Sequence, residues 1–409
     1  MSSHVSTLNV FLYDELVGTI TNVGNDRSLF ALTQDYIENA DRSTLSLGFK
    51  DSLGELITDF KATNTKLMPF FSNLLPEDEM RRYLAERANV NPEREFFLLW
   101  MLGQDLTGAI TIKAADGEEL PPSVSEPVGD GEENKHGAMR FSLAGVQLKF
   151  SAVQHASGGL AIPASGVGGS WIVKLPSSKF EGVPENEFSM MELARKIGMD
   201  VPDTQLLNIG DIENIPAGIG QFGNSAFAIK RFDRIDGGGS AHVEDFAQVF
   251  GVYPLDKYKK ASMRNVAEVI GIEGQENDVA EFIRRLVFNT LIGNADMHLK
   301  NWSLIYRDKR SASIAPAYDF VSTIPYFADK DAALKVSRSK KFADFTMDEL
   351  SHLAARARLP EKLVLDTASE TVELFHEKWQ SEKTNLALNS DVIEAIDKHL
   401  EDIPMAKNK

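Results

Sequence analysis

The pattern of apolar and polar positions near the N-terminus predicts an α+β domain. In "LNVFLYDELVGTITN", two runs rich in β-branched and aromatic residues flank Asp14 and Glu15, which indicates a β-hairpin. Helical spacing of apolar residues follows in "LLPEDEMRRYLAERANV" and "PEREFFLLWMLG". The pattern ends near "LTGAITIKA", so we assign residues 1–115 to this domain.

Apolar residues almost vanish in the next stretch, residues 116–138. Its sequence, "DGEELPPSVSEPVGDGEENKHG", is crowded with proline, glycine and acidic residues. Such a composition cannot bury enough apolar surface to form a core. We therefore interpret this stretch as a linker.

Short β-like runs mark residues 139–232, namely "MRFSLAGVQLKFSAV", "SWIVKLP", "TQLLNIG" and "SAFAIKRFD". One amphipathic helical pattern, "ENEFSMMELARKIG", stands after the second run. The simplest interpretation is a small sheet that carries one helix.

Residues 233–409 have a mainly helical pattern. "ENDVAEFIRRLVFNTLIG" has a broad apolar face, and "SDVIEAIDKHLEDI" predicts a last helix. "FTMDELSHLAARA" begins with Thr346 and Glu349, which have the spacing of a capping box. The chain is therefore predicted to end in a helical domain.

Composition narrows the classes of protein that fit. The 409 residues carry a net charge of −17, which disfavours direct binding to nucleic acid. The absence of cysteine excludes disulfide scaffolds, zinc thiolate sites and thiol nucleophiles, and it fits a reducing compartment. No signal-peptide pattern opens the chain, and its longest apolar run, "FFLLWML", is far shorter than the roughly 20 residues of a membrane helix. We expect a cytoplasmic protein without a membrane partner.

Candidate chemistry gathers in "GNADMHLKNW", residues 293–302, where Asp296 and Asn301 are five positions apart. A second strand-like run, "SIAPAYDF", supplies Asp319. This order suits phosphoryl transfer, in which one carboxylate orients the acceptor hydroxyl while an amide oxygen and a second carboxylate hold Mg²⁺. Asp296 is then the base or orienter, Asn301 and Asp319 are the metal ligands, and Lys300 neutralises the transferred group. A plain surface turn is the alternative, and His298 is expected to be structural.

Two upstream residues strengthen the phosphoryl-transfer hypothesis. Lys174 lies in the β-like run "SWIVKLP", where its ammonium could reach nucleotide phosphates. Glu187, thirteen residues later on a predicted helix, could pair with Lys174, and Glu185 is a competing choice. These elements follow one another in the serial order of a bilobal kinase, namely a strand lysine, a helix glutamate, a helical lobe, an Asp–Asn loop and a final aspartate.

The chain has no G-x-G-x-x-G motif over the predicted phosphate site. The glycine cluster "GVGGSW" is typical of a turn. The alternative cradle is "FSLAGVQLKF", in which Ser142, Ala144 and Gly145 could present backbone amides to phosphate oxygens.

Taken together, these motifs resemble the HipA-type serine/threonine kinases of bacterial toxin–antitoxin pairs. The resemblance rests on "FSLAGVQLKF", "WIVKLP", "ENE", "KRFDR", "GNADMHLKNW" and "AYDF". It extends to the first domain through "FFSNLLPEDEMRRYLAERANV" and "MLGQDLTGAITI". It implies an α+β protein in which a HipA N-terminal domain precedes a bilobal kinase, with an N-lobe at 139–232 and a helical C-lobe at 233–409.

The resemblance implies ATP and Mg²⁺ as cofactors, with Asp296 catalytic, Asn301 and Asp319 on the metal and Lys174 on the phosphates. It also implies that the backbone from Ile229 through Lys230 to Phe232 meets the adenine. Lys230 stands where the best-known relative carries an acid, and Asp233 is expected to be structural.

The resemblance further implies autophosphorylation of Ser142, with Ser151 as the alternative. A phosphate there would place nearly two negative charges in the loop that cradles ATP. Such a change is expected to switch the kinase off.

The resemblance also implies partners. They are a HipB-like helix-turn-helix antitoxin, operator DNA reached only through that antitoxin, and a protein substrate in translation such as an aminoacyl-tRNA synthetase. The implied outcome is growth arrest and antibiotic tolerance. A lipid or small-molecule kinase is an alternative, although no basic amphipathic stretch supports membrane binding. A non-catalytic kinase-like module that serves as a repressor partner is another, and the complete catalytic set argues against it.

Overall fold

A computed structural model of the chain describes residues 6–87, 90–115, 148–155, 159–163, 168–215 and 223–407. The chain divides into two compact units. The first combines Met1–Val146, Asp233–Asp256 and Ile305–Arg310, and the second combines Gln147–Phe232, Lys257–Leu304 and Ser311–Lys409. Residues 233–256 and 305–310, which the sequence interpretation gave to the helical lobe, thus group with the N-terminal residues.

The first unit contains a five-stranded antiparallel sheet in the order β4-β3-β2-β1-β5. The predicted hairpin is confirmed, because its first two strands pair across a two-residue turn at Tyr13 and Asp14. Both turn residues have positive φ, 52° and 67°, which is the backbone twist of a type I′ hairpin. The strands are β1 (Thr7–Leu12), β2 (Glu15–Gly24), β3 (Arg27–Leu32), β4 (Thr63–Asn64) and β5 (Ile110–Ala114).

In the described residues from 6 to 115, four helices accompany this sheet: α1 (Gln34–Glu38), α2 (Pro69–Ser72), α3 (Asp78–Arg87) and α4 (Glu95–Leu102). The last two confirm the helices predicted from the apolar spacing. Glu95 at the start of α4 is buried because its carboxylate accepts hydrogen bonds from Leu67 N–H, Ser72 Oγ and Arg81 Nη2 at 2.8–3.0 Å. A buried carboxylate is tolerated only when such donors replace water.

The second unit begins with a six-stranded sheet in the order β10-β7-β6-β8-β11-β9. Among the residues described in this part, one helix, α5 (Val183–Lys196), packs on β9 and β11 and has buried residues such as Met190 and Leu193. This arrangement confirms the predicted small sheet with one helix. The strands are β6 (Lys149–Gln154), β7 (Leu160–Ala161), β8 (Trp171–Lys174), β9 (Thr204–Asn208), β10 (Ile212–Glu213) and β11 (Ser225–Lys230).

The chain then returns to the first unit with β12 (His242–Asp245) and α6 (Phe246–Val249). Glu244 is fully buried there and accepts hydrogen bonds from Ser46 Oγ at 2.6 Å, Leu47 N–H at 2.9 Å and Tyr306 Oη at 2.5 Å. Burial raises the pKa of the Glu244 carboxyl to about 7 in spite of these donors. Three distant parts of the first unit therefore meet at one carboxyl group.

The C-terminal part is mainly helical, as predicted. Its longest helices, α8 and α10, pack together with Phe282, Phe288 and Phe375 fully buried. Burial of each ring stabilises the fold by about 1.5–3 kcal/mol. The elements are α7 (Met263–Glu273), α8 (Glu276–Leu291), β13 (Ser303–Tyr306), β14 (Ser313–Ile314), α9 (Met347–Ala357), α10 (Glu361–Glu382), α11 (Ser390–Asp402) and α12 (Pro404–Lys407).

The predicted capping box at the start of α9 is half right. Thr346 is the N-cap and its Oγ1 accepts a hydrogen bond from Glu349 N–H at 3.2 Å. The Glu349 carboxylate does not return this bond; it accepts hydrogen bonds from Ser337 N–H and from Arg338 N–H and Nε. The guanidinium of a distant loop residue therefore replaces the local partner.

No helix in the described part of the chain combines the length and apolar character that a membrane span requires.

Candidate active site

A buried ion cluster joins three elements of the second unit. Lys174 ends β8, Glu187 lies in the second turn of α5, and Asp319 lies in the loop after β14. The Nζ atom of Lys174 is 2.5 Å from Oε1 of Glu187 and also forms an ion pair with Oδ1 of Asp319. The structure thus brings together three residues predicted from sequence. It pairs Lys174 with Glu187, and Glu185, the competing choice, makes no bond to Lys174.

The pKa values in this cluster follow from burial and from the two charge pairs. Burial acts to lower the pKa of Lys174, but the carboxylates of Asp319 and Glu187 overcome it and raise that pKa. Burial raises the pKa of Glu187 to about 7, because Lys174 offsets only part of the desolvation and Asp319 adds a like charge. Burial also acts on Asp319, yet Lys174 lowers the pKa of that carboxyl to about 2. Lys174 and Asp319 are therefore the firmly charged pair.

Backbone conformation delivers Asp319 to the cluster. The predicted strand "SIAPAYDF" is wrong beyond its first residues, because β14 covers only Ser313–Ile314. Asp319 itself has a φ of +58°, in the left-handed region that non-glycine residues rarely adopt. Asn294 Nδ2 donates to the carbonyl oxygen of Asp319 at 3.3 Å and supports this conformation.

Asn186 is a further residue at the site, and sequence reasoning missed it. Its buried side chain donates from Nδ2 to Ser322 O at 2.9 Å and accepts from Ser322 N–H at 3.1 Å. These two bonds tie α5, which carries Glu187, to the segment that carries Asp319. The signal in the sequence was a polar asparagine on the buried face of an amphipathic helix, inside the motif "ENE".

Local hydrogen bonds shape the loop after α8. Asn294 Oδ1 accepts from Asp296 N–H at 3.0 Å, and Asn301 Nδ2 donates to Asp296 O at 3.0 Å. Gly293, with a φ of +66°, ends the helix, and a Cβ there would meet the Ile324 side chain at 2.6 Å. The loop closes on its own backbone and leaves the side chain of Asp296 at the surface.

A hydrogen bond and a ring contact from Tyr258 hold the part of this loop that carries Asp296 and His298. Tyr258 Oη donates to Oδ1 of Asp296 at 2.6 Å, and the Tyr258 ring lies edge-on to the ring of His298, with centroids 5.0 Å apart. His298 is buried, in agreement with its predicted structural role. The carbonyl oxygen of Lys300 accepts a hydrogen bond from Tyr318 Oη at 2.9 Å.

The oxygen atoms of Asn301 and Asp319 fit the needs of Mg²⁺. The amide nitrogen of Asn301 is bonded to Asp296 O, so its side-chain oxygen is oriented as an acceptor. Asp319 uses one oxygen for Lys174 and has a second oxygen for a cation. Within the described ranges no cluster of three His, Cys, Asp or Glu side chains could hold a metal alone. One carboxylate, one amide oxygen and substrate phosphates form the usual Mg²⁺ set.

The predicted adenine-binding backbone lies at the end of β11. Ile229 pairs with Ile172 and Thr204 in the sheet, while Lys230 N–H donates to Asp203 O and Arg231 N–H to Ser170 O. Phe232 follows directly, and its ring lies 5.8 Å from that of Tyr318. In this stretch, the backbone N–H groups of Lys230 and Arg231 therefore already donate hydrogen bonds to carbonyl oxygens of the protein.

The remaining predicted residues fall in two groups. Ser142, Ala144 and Gly145 lie outside the described residues. Ser151, the alternative phosphorylation site, lies on β6 and its Oγ accepts from Arg231 Nη1 at 3.4 Å. Asp233 is buried and accepts hydrogen bonds from Gly108 N–H and Arg234 Nη1 within the first unit, as its predicted structural role requires.

Comparisons with known proteins identify the family of this chain. The family described as "HipA-like C-terminal domain" matches residues 141–379, and "HipA N-terminal domain" matches residues 8–113. Among curated proteins, "Putative kinase Y4dM" of Sinorhizobium fredii is 56% identical over 398 residues, 97% of this chain and 96% of that protein. "Serine/threonine-protein kinase toxin HipA" of Shewanella oneidensis is 26% identical over 300 residues, 66% of each protein.

A solved structure shares the fold. It is the HipA chain of a Shewanella oneidensis MR-1 complex of HipA, HipB and operator DNA. The TM-score is 0.72 at 22% identity, and the match covers 98% of this chain and 96% of that chain. The predicted fold class, α+β with a HipA N-terminal domain before a kinase-like domain, is confirmed.

Proposed function

Because this chain belongs to the HipA family of kinases, we propose that it is an ATP- and Mg²⁺-dependent serine/threonine protein kinase and the toxin of a toxin–antitoxin pair. The observation that carries the proposal is the contact of Lys174 with both Glu187 and Asp319. A strand lysine held by a helix glutamate and a loop aspartate is the phosphate-binding arrangement of protein kinases.

The proposed reaction uses each residue in one step. Lys174 binds the nucleotide phosphates, and Glu187 holds its ammonium in place. The acceptor hydroxyl oxygen attacks the γ-phosphorus, a new O–P bond forms and the bond to the ADP oxygen breaks. The hydroxyl proton passes to the carboxylate of Asp296, and Lys300 neutralises charge on the transferred group. Asn301 and Asp319 would hold Mg²⁺, which when bound offsets the charge of the phosphates.

For the adenine we propose Phe232 as the contact residue. The backbone N–H groups of Lys230 and Arg231 are occupied by Asp203 O and Ser170 O. Among the described residues Phe232 N–H donates no hydrogen bond, so it is available to a ring nitrogen. Lys230 then faces Asp203, whose carboxylate lies 4.0 Å from its Nζ.

The regulatory and cellular proposals come from the family. Ser142 is proposed as the autophosphorylation site that switches the kinase off, because two added charges would repel the ATP phosphates. The Shewanella relative is solved with HipB and operator DNA, and we propose a HipB-like antitoxin for this chain. With a net charge of −17, the chain would reach DNA mainly through that partner. The proposed substrate is a translation component such as an aminoacyl-tRNA synthetase.

Incubation of the purified chain with γ-labelled ATP and Mg²⁺, alone and with a cell lysate, tests the proposal. We expect label on the chain itself, with phosphate on Ser142 by mass spectrometry, and label on a lysate protein at serine or threonine. If the wild type incorporates no more label than a reaction without the protein, the chain is not a kinase. Phosphate found only at other residues, such as Ser151, contradicts the regulatory role of Ser142.

We expect Tyr258→Phe to lower the turnover rate about tenfold without changing the KM for ATP. The variant keeps the ring contact with His298 and loses only the hydroxyl that donates to Asp296, and a hydrogen bond to a charged group contributes about 1.5–3 kcal/mol. Steady-state label transfer at varied ATP measures both constants. An unchanged or higher turnover rate would mean that Tyr258 does not position Asp296.

A further inference from the structure

A buried threonine joins the loop after α8 to the segment that follows Asp319. Thr323 Oγ1 accepts a hydrogen bond from Ala295 N–H at 2.8 Å and donates one to Gly293 O at 3.1 Å. The backbone N–H of Thr323 donates to the same oxygen of Gly293 at 3.2 Å. Three hydrogen bonds therefore attach Thr323 to the backbone that directly precedes Asp296.

The position of Thr323 in the chain places it between two parts of the candidate site. It follows Asp319 by four positions, and its partner Ala295 is the residue before Asp296. Its neighbour Ser322 is held on α5 by the two hydrogen bonds of Asn186. A continuous set of contacts thus runs from α5 through Ser322 and Thr323 to the loop that carries Asp296.

Close packing accompanies these hydrogen bonds. The Ile324 side chain lies so near Gly293 that a Cβ on this glycine would meet it at 2.6 Å. The carbonyl oxygen of Thr323 accepts hydrogen bonds from Tyr326 N–H at 3.0 Å and Phe327 N–H at 3.1 Å, which closes a turn. A hydroxyl that donates and accepts at once has only one favourable orientation. The contact at Thr323 therefore has a defined geometry.

We propose that Thr323 is a positioning residue for phosphoryl transfer. Its hydroxyl holds the backbone before Asp296 against the segment that carries Asp319, and it thereby sets the place of the base relative to the metal ligand. The inference rests on the proposed kinase function. Phosphoryl transfer requires the acceptor oxygen in line with the γ-phosphorus and the leaving oxygen, so a small displacement of the base lowers the rate.

Turnover rates of Thr323→Val and Thr323→Ser test this role. Valine keeps the shape of threonine but leaves Ala295 N–H without its acceptor, so we expect turnover to fall about tenfold with an unchanged KM for ATP. Serine keeps the hydroxyl and should retain most of the rate. The matched control is Thr371→Val, because the buried hydroxyl of Thr371 donates to Thr367 O within α10. This control should keep the wild-type rate.

A double-mutant cycle with Asp296→Asn separates positioning from a general structural role. If Thr323 acts through Asp296, Thr323→Val should lower the residual rate of Asp296→Asn no further. A general loss of structure would lower the rate by the same factor in both backgrounds. Hydrogen exchange gives a measurement independent of activity. A peptide covering residues 293–301 should exchange faster in Thr323→Val and at the wild-type rate in Thr371→Val.

The outcomes distinguish this inference from the proposed function. Equal turnover of wild type and Thr323→Val overturns the inference, as does an equal factor of loss in both backgrounds. Unchanged exchange of residues 293–301 in Thr323→Val also overturns it. If the wild type transfers no label, the kinase function is contradicted, and the exchange measurement alone decides whether Thr323 holds the loop. The exchange measurement also decides if the residual rate of Asp296→Asn is too low to measure.

Discussion

Replacing Asp296 by Asn is expected to lower the rate of phosphoryl transfer by roughly 10²- to 10⁴-fold, the usual contribution of a positioned general base. The asparagine has the same shape and keeps an oxygen that can accept the hydrogen bond from Tyr258 Oη. It cannot take the proton of the acceptor hydroxyl. The loop bonds at this residue use its backbone N–H and carbonyl oxygen, so the loop itself should be unchanged.

Rates of label transfer at saturating ATP measure this effect, and ATP affinity and thermal stability should match those of the wild type. A suitable control is Asp366→Asn, because Asp366 is an exposed aspartate on α10 that pairs with Lys362 at the surface. The control should retain full activity. Equal rates for Asp296→Asn and Asp366→Asn would show that Asp296 takes no part in the reaction.

The second large effect is expected at Lys174. Lys174→Met removes the charge but keeps the length of the side chain, and it leaves Glu187 and Asp319 without their cation. Removing one partner of a buried ion pair lowers the folding stability by about 3–5 kcal/mol. Lys196→Met is the matched control on α5, because Lys196 pairs with Glu382 at the surface and such pairs contribute about 0–1 kcal/mol.

The folding stability lost in Lys174→Met should increase with pH. The pKa of Glu187 is already raised to about 7 in the folded chain, against 4.5 for the free side chain, and removal of the ammonium raises it further. Above pH 4.5 the unfolded chain releases this proton while the folded variant retains it. The folding stability of the variant therefore falls as the pH rises above 4.5. Its loss of stability relative to the wild type is larger at pH 8 than at pH 5.

Hydrogen exchange of peptides covering β8 and α5 measures the opening free energy of this region. At pH 8 we expect Lys174→Met to lose about 3–5 kcal/mol, and the double variant Lys174→Met/Glu187→Gln to recover part of that loss, because only the Asp319 carboxylate then lacks its cation. The same loss at pH 5 and pH 8, or a double variant less stable than the single one, would contradict the account of the cluster.

Much of the fold was predictable because its signals are local. The hairpin of β1 and β2 and the helices α4, α5 and α8 follow from apolar spacing within one element. The capping of α9 shows the limit of such reasoning. Thr346 behaves as its local spacing predicts, but Glu349 binds Arg338, whose approach depends on how a separate loop packs.

The candidate site divides in the same way. Asp296 and Asn301 belong to one loop, and the side-chain Nδ2 of Asn301 donates a hydrogen bond to the carbonyl oxygen of Asp296, so their spacing was informative. The partners of Asn186 and Tyr258 could not be predicted from local spacing. Each side chain bonds a residue far away in sequence, and only the fold brings the two together.

The sequence by itself determined the family, the order of the kinase motifs, the candidate pair Lys174 and Glu187 and the candidate metal ligand Asp319. Only the tertiary structure decided that Glu187 and not Glu185 meets Lys174, and that Asp319 arrives on a left-handed loop and not on a strand. The physical reason is that periodicity and spacing act within a few residues. Burial decides which charges meet, because a charged group withdrawn from water must find its partner wherever packing places it.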